Sequence, residues 1–169
     1  TQTAAVAAGG YNSSGTRTNT VEEYNGSSWT AVNTLPQAQT SGMGCGAEND
    51  GLVAGGEFTA VLTNTQEYDG TNWTAGGAIP AATYNAGAGG TSQSNSWFAG
   101  GGDGFKNATL IYDGSSWTAS GNINTARDQH GGAGISTAAL IFGGRTPPST
   151  ISSATENFDG SSWTTSPAT

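Results

Sequence analysis

Chemically reactive side chains are scarce in this chain, which has one histidine and one cysteine among its 169 residues. His130 lies in the run Arg127-Asp128-Gln129-His130, and a Ser–His–Asp arrangement would have to use it. Hydroxyl groups are so abundant that such a match would arise by coincidence, so we interpret His130 as structural. Cys45 lies between two glycines, and we interpret it as a small buried residue rather than a nucleophile.

Two further features could indicate ligand sites. Asp-Gly pairs recur along the chain, but no D-x-D-x-D loop surrounds them, so turns explain them better than calcium sites do. Trp97 stands three residues before the Gly100-Gly101 pair, which favours a core position; stacking on a sugar is the alternative. We therefore predict no catalytic residue, no metal site and no cofactor.

The charge balance restricts the partners. Twelve acidic residues face four basic ones, and the formal net charge is −8. Nucleic acids and anionic membranes both require clustered positive charge, so neither is an expected partner. Apolar runs fall short of the ~18 residues of a membrane helix. The Ser, Thr, Asn and Gly content, with a single lysine, is typical of an extracellular or virion surface.

The chain is a tandem repeat. Four times an apolar segment ends in Gly-Gly and is followed by an aromatic residue, a turn signal and Trp-Thr, as in LVAGG…QEYDGTNWT. The tryptophans are Trp29, Trp73, Trp117 and Trp163, and their separations are 44, 44 and 46 residues. A period of about 40–50 residues is characteristic of propeller-type repeats.

Each repeat is predicted to contain four short strands, A to D. In the last copy they cover residues 130–134, 138–142, 154–158 and 162–165. Asn-Gly or Asp-Gly joins strands C and D in every copy, which is a strong hairpin signal. The tryptophan opens strand D, where its ring can pack against the next sheet. We expect all four tryptophans to be mostly buried between sheets.

These motifs resemble kelch-type β-propellers, whose repeats carry a double glycine after an apolar strand and then a spaced Tyr and Trp. The resemblance covers the chain, although the Tyr-to-Trp interval is short and Phe158 replaces Tyr in the fourth copy. It implies an all-β fold of four four-stranded antiparallel blades in one array over 1–169. The blade anchors are 4–32, 50–76, 95–120 and 138–165. The wording of the repeats also resembles phage tail and fibre proteins.

Some kelch-type propellers are copper oxidases. Their site needs several His and Tyr ligands and a cross-linked Cys, which a chain with one histidine cannot supply. The resemblance therefore does not extend to that chemistry.

Strand A is missing from the first repeat, so the sequence holds four B–C–D sets and three A segments. We expect residues 4–8 to lack an inner partner strand within the chain. The array is then part of a larger ring or is completed by a neighbouring copy.

The B–C loops differ between copies, whereas the C–D turns are nearly uniform. Rigid scaffolds commonly carry binding groups on such loops; the alternative is that the loops are unconstrained. The residues expected to bind a ligand are Tyr11, Arg17, Phe58, Phe105, Lys106 and Arg145. We expect a non-enzymatic adhesion module of a viral tail or fibre that recognises host-surface glycan or protein. A structural spacer is the alternative, and a propeller-fold hydrolase or oxidase a more distant one.

Overall fold

The protein is described here from a computed structural model that covers residues 3–102 and 104–166. Within these residues the regular secondary structure is entirely β-strand, arranged in antiparallel sheets. No helix in the described ranges is long and apolar enough to span a membrane. The chain is therefore all-β, as the sequence predicts.

Four sheets follow one another along the chain, and in each the strands are ordered as in the sequence. The first sheet has three strands: β1 (Ala5–Ala8), β2 (Val21–Tyr24) and β3 (Trp29–Val32). The second has β4 (Met43–Ala47), β5 (Asp50–Ala54), β6 (Thr65–Tyr68) and β7 (Trp73–Ala75). The third has β8 (Gly87–Ser92), β9 (Asn95–Ala99), β10 (Thr109–Tyr112) and β11 (Trp117–Ser120).

The fourth sheet has β12 (Gly131–Ile135), β13 (Ala138–Phe142), β16 (Thr155–Phe158) and β17 (Trp163–Ser166). The hairpin of β14 (Arg145–Thr146) and β15 (Thr150–Ile151) is inserted between β13 and β16. The predicted strand over 138–142 is confirmed at both ends, and the other three strands of this repeat are confirmed to within one residue.

The uniform turns between strands C and D are closed by the Asx side chain. Asp113 Oδ1 accepts hydrogen bonds of 2.8 Å from the backbone N–H groups of both Ser115 and Ser116, and Gly114 takes a φ of 95°. These donors stabilise the carboxylate and lower the pKa of Asp113 to about 2. The turn interpretation of the Asp-Gly pairs is therefore confirmed.

Two apolar clusters occupy the junctions between neighbouring sheets. One lies between the second and third sheets and includes Ala54, Phe98 and Trp117, and the other lies between the third and fourth and includes Ile141 and Trp163. Trp97 is 1% exposed and belongs to the second cluster, so its interpretation as a core residue is confirmed.

The tryptophans pack on the sheet that precedes them, not on the one that follows. The indole N–H of Trp117 donates to Thr65 Oγ1 of the second sheet, and that of Trp163 donates to Thr109 Oγ1 of the third, each at 2.8 Å. These two rings are buried, Trp73 is half-buried, and Trp29 is 50% exposed. The expectation that all four are mostly buried was wrong, because no preceding sheet in the described residues covers Trp29.

Glycines allow the inner strands of neighbouring sheets to approach closely. A Cβ atom at Gly132 of β12 would lie 2.6 Å from the backbone nitrogen of Ala88 in β8. The expected lack of an inner partner strand is confirmed for Ala5–Ala8 within the described residues only. In the described part of the chain, β1 is paired with β2 alone.

Candidate functional site

The variable B–C loops lie beside the connections that lead from one sheet to the next. Backbone hydrogen bonds of 2.8 to 2.9 Å join the second glycine of three Gly-Gly pairs to these connections: Gly10 to Gln39, Gly56 to Thr83 and Gly101 to Arg127. We call this side of the molecule the loop edge. It comprises the loops 9–20, 55–64, 100–108 and 143–154 and the connections 33–42, 76–86 and 121–130, with residue 103 outside the described residues.

The first loop presents Tyr11, whose side chain is 60% exposed. Tyr11 and Arg17 form an antiparallel bridge, and the Arg17 guanidinium carbon lies 5.5 Å from the centre of the Tyr11 ring. Asn12 Oδ1 accepts hydrogen bonds from the backbone N–H groups of Ser14 and Thr16 and so holds the loop in this shape. Two of the predicted ligand-binding residues are therefore brought together here.

The second loop carries Phe58, which is 36% exposed. The adjacent residue, Glu57, bridges both Thr40 and Val61, and the Phe58 N–H donates to the carbonyl of Ala60. The ring therefore projects from a tight, hydrogen-bonded turn.

In the third loop, Phe105 takes a left-handed φ of 55° and is half-buried. The Lys106 ammonium donates to the backbone carbonyl of Ala82, in the connection from the second sheet to the third. The Lys106 N–H donates to Gly101 within the loop.

Arg145, in the fourth loop, forms a two-point ion pair with Asp128. The Nε and Nη2 atoms of Arg145 donate to the two carboxylate oxygens of Asp128 at 3.1 and 2.8 Å. The same loop continues into Ile151, which is 78% exposed. The sequence does not predict the β14–β15 hairpin, so it gave no indication that Ile151 is exposed.

The three predicted cations share one arrangement: each donates to a connection between sheets. Arg17 Nε lies 3.4 Å from Thr40 Oγ1, and Lys106 and Arg145 contact Ala82 and Asp128. Among the described residues, no hydrogen bond, ion pair or cation–π contact joins two of the six predicted residues from different loops. The cations therefore brace the loops, and Tyr11 and Phe58 are the exposed aromatic groups of the set.

A row of left-handed residues runs along the same edge. Ser41, Asn85 and Gln129 are spaced 44 residues apart and have φ values of 58°, 53° and 52°. The Asn85 N–H donates to Ser41 O, and the Gln129 N–H donates to Asn85 O. Three different residue types occupy these positions, so inspection of the motifs could not reveal them.

A cavity of about 640 Å³ lies between the first and second sheets. Its walls include Val6 and Ala8 of β1, Gly44 and Cys45 of β4, and the ring of Trp73. Cys45 is confirmed in strand A, and burial raises the pKa of its thiol to about 11, which keeps it protonated at neutral pH. The cavity is bordered by the inner edge of β1, where the other sheets have an inner strand.

His130 is buried against the third sheet. Its Nε2 accepts a hydrogen bond of 3.1 Å from the Gly87 N–H, so the neutral ring carries its proton on Nδ1. Burial, with the nearby Arg127 charge, lowers the pKa of His130 to about 4. This geometry gives His130 a packing role, as expected from the sequence.

In comparisons with known proteins, no family model matches the chain and no curated protein matches it. The geometry of the loop edge and of the sheets is therefore the basis for a proposed function.

Proposed function

We propose that the four sheets are blades of a kelch-like propeller array and that the array is a non-enzymatic binding module. Three observations support the architecture: the strand order repeats, Trp117 and Trp163 pack on the preceding sheet, and the inner strands approach through glycine. Radial repetition of such sheets produces a propeller.

The binding surface in this proposal is the loop edge, and the observation that supports it best is the Tyr11–Arg17 pair. Arg17 lies over the Tyr11 ring, yet 60% of that side chain remains exposed. The aromatic ring can stack on a sugar, and the guanidinium group beside it can donate hydrogen bonds to the sugar hydroxyls. Because these residues are braced by their loop, little conformational freedom is lost on binding.

The partner in this proposal is a glycan or protein on a host surface, and the chain belongs to an extracellular particle such as a viral tail or fibre. The net charge of −8 favours uncharged, hydroxyl-rich or cationic partners over nucleic acids and anionic membranes.

Glycan-array binding of the purified chain, followed by titration of the strongest oligosaccharide, tests the proposal. Tyr11→Ala and Phe58→Ala should each weaken binding about tenfold or more if the aromatic groups are central contacts. Matched controls are Ser27→Ala, Thr71→Ala and Ser115→Ala in the turns between strands C and D. Loss of binding from the control set alone would contradict the proposal.

A structural spacer or shell element is the second candidate. It is favoured by the use of Arg17, Lys106 and Arg145 as internal braces, which leaves fewer charged groups for a ligand. A chain that binds no glycan or host protein but assembles into a particle would support this candidate.

A further inference from the structure

The first and last sheets each present one face that no neighbouring sheet covers within the described residues. We call them the first-sheet face, which carries Ala7, Tyr24 and Trp29, and the last-sheet face, which carries Phe142, Thr155 and Asn157. Trp29 is 50% exposed and Phe142 is 46% exposed. The junctions inside the chain show what such faces do when they meet.

The first rule of the junctions concerns the tryptophan. Where strand C of the preceding sheet begins with threonine, as at Thr65 and Thr109, the indole N–H donates to that hydroxyl. In the first sheet this position is Val21, which cannot accept, and Trp73 donates to the backbone carbonyl of Asn33 instead. Strand C of the last sheet begins with Thr155, which is the acceptor type that a following tryptophan uses.

The second rule concerns the aromatic residue that ends strand C. The Tyr68 hydroxyl donates to Glu23 Oε1 at 2.6 Å, and the Tyr112 hydroxyl donates to Glu67 Oε1 at 2.5 Å. In the third sheet the position of these glutamates is held by Ile111, which packs against the apolar cluster. The aromatic partner in the fourth sheet has correspondingly lost its hydroxyl.

The two sides of a junction therefore change together, and the end faces obey the same rule. The last-sheet face carries Asn157 at the glutamate position, and its Nδ2 donates to Ser166, which leaves Oδ1 as an acceptor. The first-sheet face carries Tyr24, a hydroxyl donor, whose ring is tilted against that of Trp29 with 5.1 Å between the ring centres. The two hydrogen-bond donors of the first-sheet face, Trp29 and Tyr24, therefore each have a suitable acceptor on the last-sheet face, at Thr155 and Asn157.

Side-chain volume is also complementary. Ala54 packs in one cluster with the large Phe98, and Ala99 packs in another with Ile141. At the ends the sizes are reversed, because Phe142 is the large residue on the last-sheet face and Ala7 is the small one on the first-sheet face. Exposed aromatic surface rimmed by matched polar groups is typical of an interface.

We propose that two copies of this chain associate head to tail, with the last-sheet face of one against the first-sheet face of the other. Trp29 of one copy donates to Thr155 of the next, Tyr24 donates to Asn157, and Phe142 packs over Ala7. Such a contact is heterologous, so it gives a ring if the rotation closes and a filament if it does not.

The test is sedimentation of the purified chain over a range of concentrations. Trp29→Ala breaks the first-sheet face and Asn157→Arg breaks the last-sheet face, and each should weaken self-association about thirtyfold or more, as for a central aromatic contact. The matched controls, Thr30→Ala and Thr137→Arg, alter exposed residues beside these faces and should leave association unchanged. Circular dichroism checks that each variant is folded.

A mixing experiment separates this contact from a symmetric one. The two variants are each defective alone, but Trp29→Ala keeps its last-sheet face and Asn157→Arg keeps its first-sheet face. An equimolar mixture should therefore form a one-to-one complex. A wild-type chain that stays monomeric, association insensitive to both variants, or a mixture that forms no complex would overturn the proposal. Glycan binding by Tyr11 is a separate measurement, so failure of one does not decide the other.

Discussion

The junction between the second and third sheets differs from the junction between the third and fourth in the position of its buried polar link. In the former, Tyr112 donates to Glu67, and the apolar Leu110 faces the same cluster. In the latter, Phe158 meets Ile111, and the position of Leu110 is taken by Glu156, which is fully buried.

Glu156 is fully compensated in its junction. Its Oε1 lies 2.8 Å from Nη2 of Arg127, and its two oxygens also accept the backbone N–H groups of Asn124 and Thr125. The residue that corresponds to Arg127 in the preceding repeat, 44 positions earlier, is Thr83. The comparison indicates that a junction tolerates one polar link, either at the position of Glu67 and Tyr112 or at the position of Arg127 and Glu156, provided that both partners change together.

The largest expected effect is the loss of a buried ring from either junction. Trp117→Ala and Trp163→Ala should each lower the free energy of unfolding by about 3–5 kcal/mol, because both the apolar contacts and the hydrogen bond to threonine are lost. Chemical denaturation measures this. Trp29→Ala, measured at low protein concentration, is the control and should cost less than about 1 kcal/mol; equal losses at all three positions would contradict the junction assignment.

The buried ion pair gives the next prediction. Arg127→Thr removes the ion-pair partner of the buried Glu156 carboxyl, so we expect a loss of about 3–5 kcal/mol in unfolding free energy. Arg127→Thr combined with Glu156→Leu reproduces the pair found in the preceding repeat and should recover most of that loss. A double variant no more stable than the single one would show that the two places are not interchangeable.

We expect His130 to make the third-to-fourth junction pH-sensitive, whereas the corresponding residue of the preceding repeat is Ala86. The fold lowers the pKa of His130 from 6.5 to about 4, so its contribution to stability is present above pH 6.5 and is lost as the pH falls towards 4. A shift of this size corresponds to roughly 3 kcal/mol. Urea denaturation between pH 7 and 4 measures it.

The matched variant is His130→Ala, which should be less stable at pH 7 and should show little pH dependence over that range. Arg127 and Asp128 are the charged groups beside the ring. The Asp turns titrate lower, since the pKa of Asp113 is held at about 2. An unchanged pH profile in the variant would show that another group is responsible.

The smallest expected effect tests directly whether the polar pair of one junction can be replaced by the apolar pair of the other. Tyr112→Phe removes the hydroxyl that donates to Glu67 and should cost about 1–2 kcal/mol of unfolding free energy. Tyr112→Phe with Glu67→Ile copies the neighbouring junction and should restore stability to within about 1 kcal/mol. Thermal unfolding of the wild-type chain, the single variants Tyr112→Phe and Glu67→Ile, and the double variant gives the coupling energy. A coupling energy near zero would refute the rule that both partners change together.

Much of the fold could be predicted because its signals are local. Asp159-Gly160 closes a turn within four residues, and the strand over 138–142 is bounded by a turn and a Gly-Gly pair, so both were found in the sequence. The direction in which Trp163 packs could not be predicted, since a periodic pattern places a ring on a strand without choosing which neighbouring sheet it contacts.

The loop edge was harder to predict than the strands. Variation between copies identified the loops, but the contacts of Arg17 with Thr40 and of Lys106 with Ala82 join residues more than twenty positions apart. Sequence spacing carries no information on such distances in irregular segments. The sequence therefore predicts the candidate residues by chemical type alone, and the structure distinguishes the braces from the exposed aromatic groups.

The direction of tryptophan packing has a consequence for synthesis on the ribosome. Trp117 and Trp163 bond to residues 52 and 54 positions earlier, so the surface that receives each ring has already left the ribosome when the ring emerges. Repeat proteins fold by propagation from neighbour to neighbour, and translation presents the N-terminal part first. Each new sheet can thus fold against the sheet that precedes it. Its tryptophan stays exposed only until its own hairpin has formed.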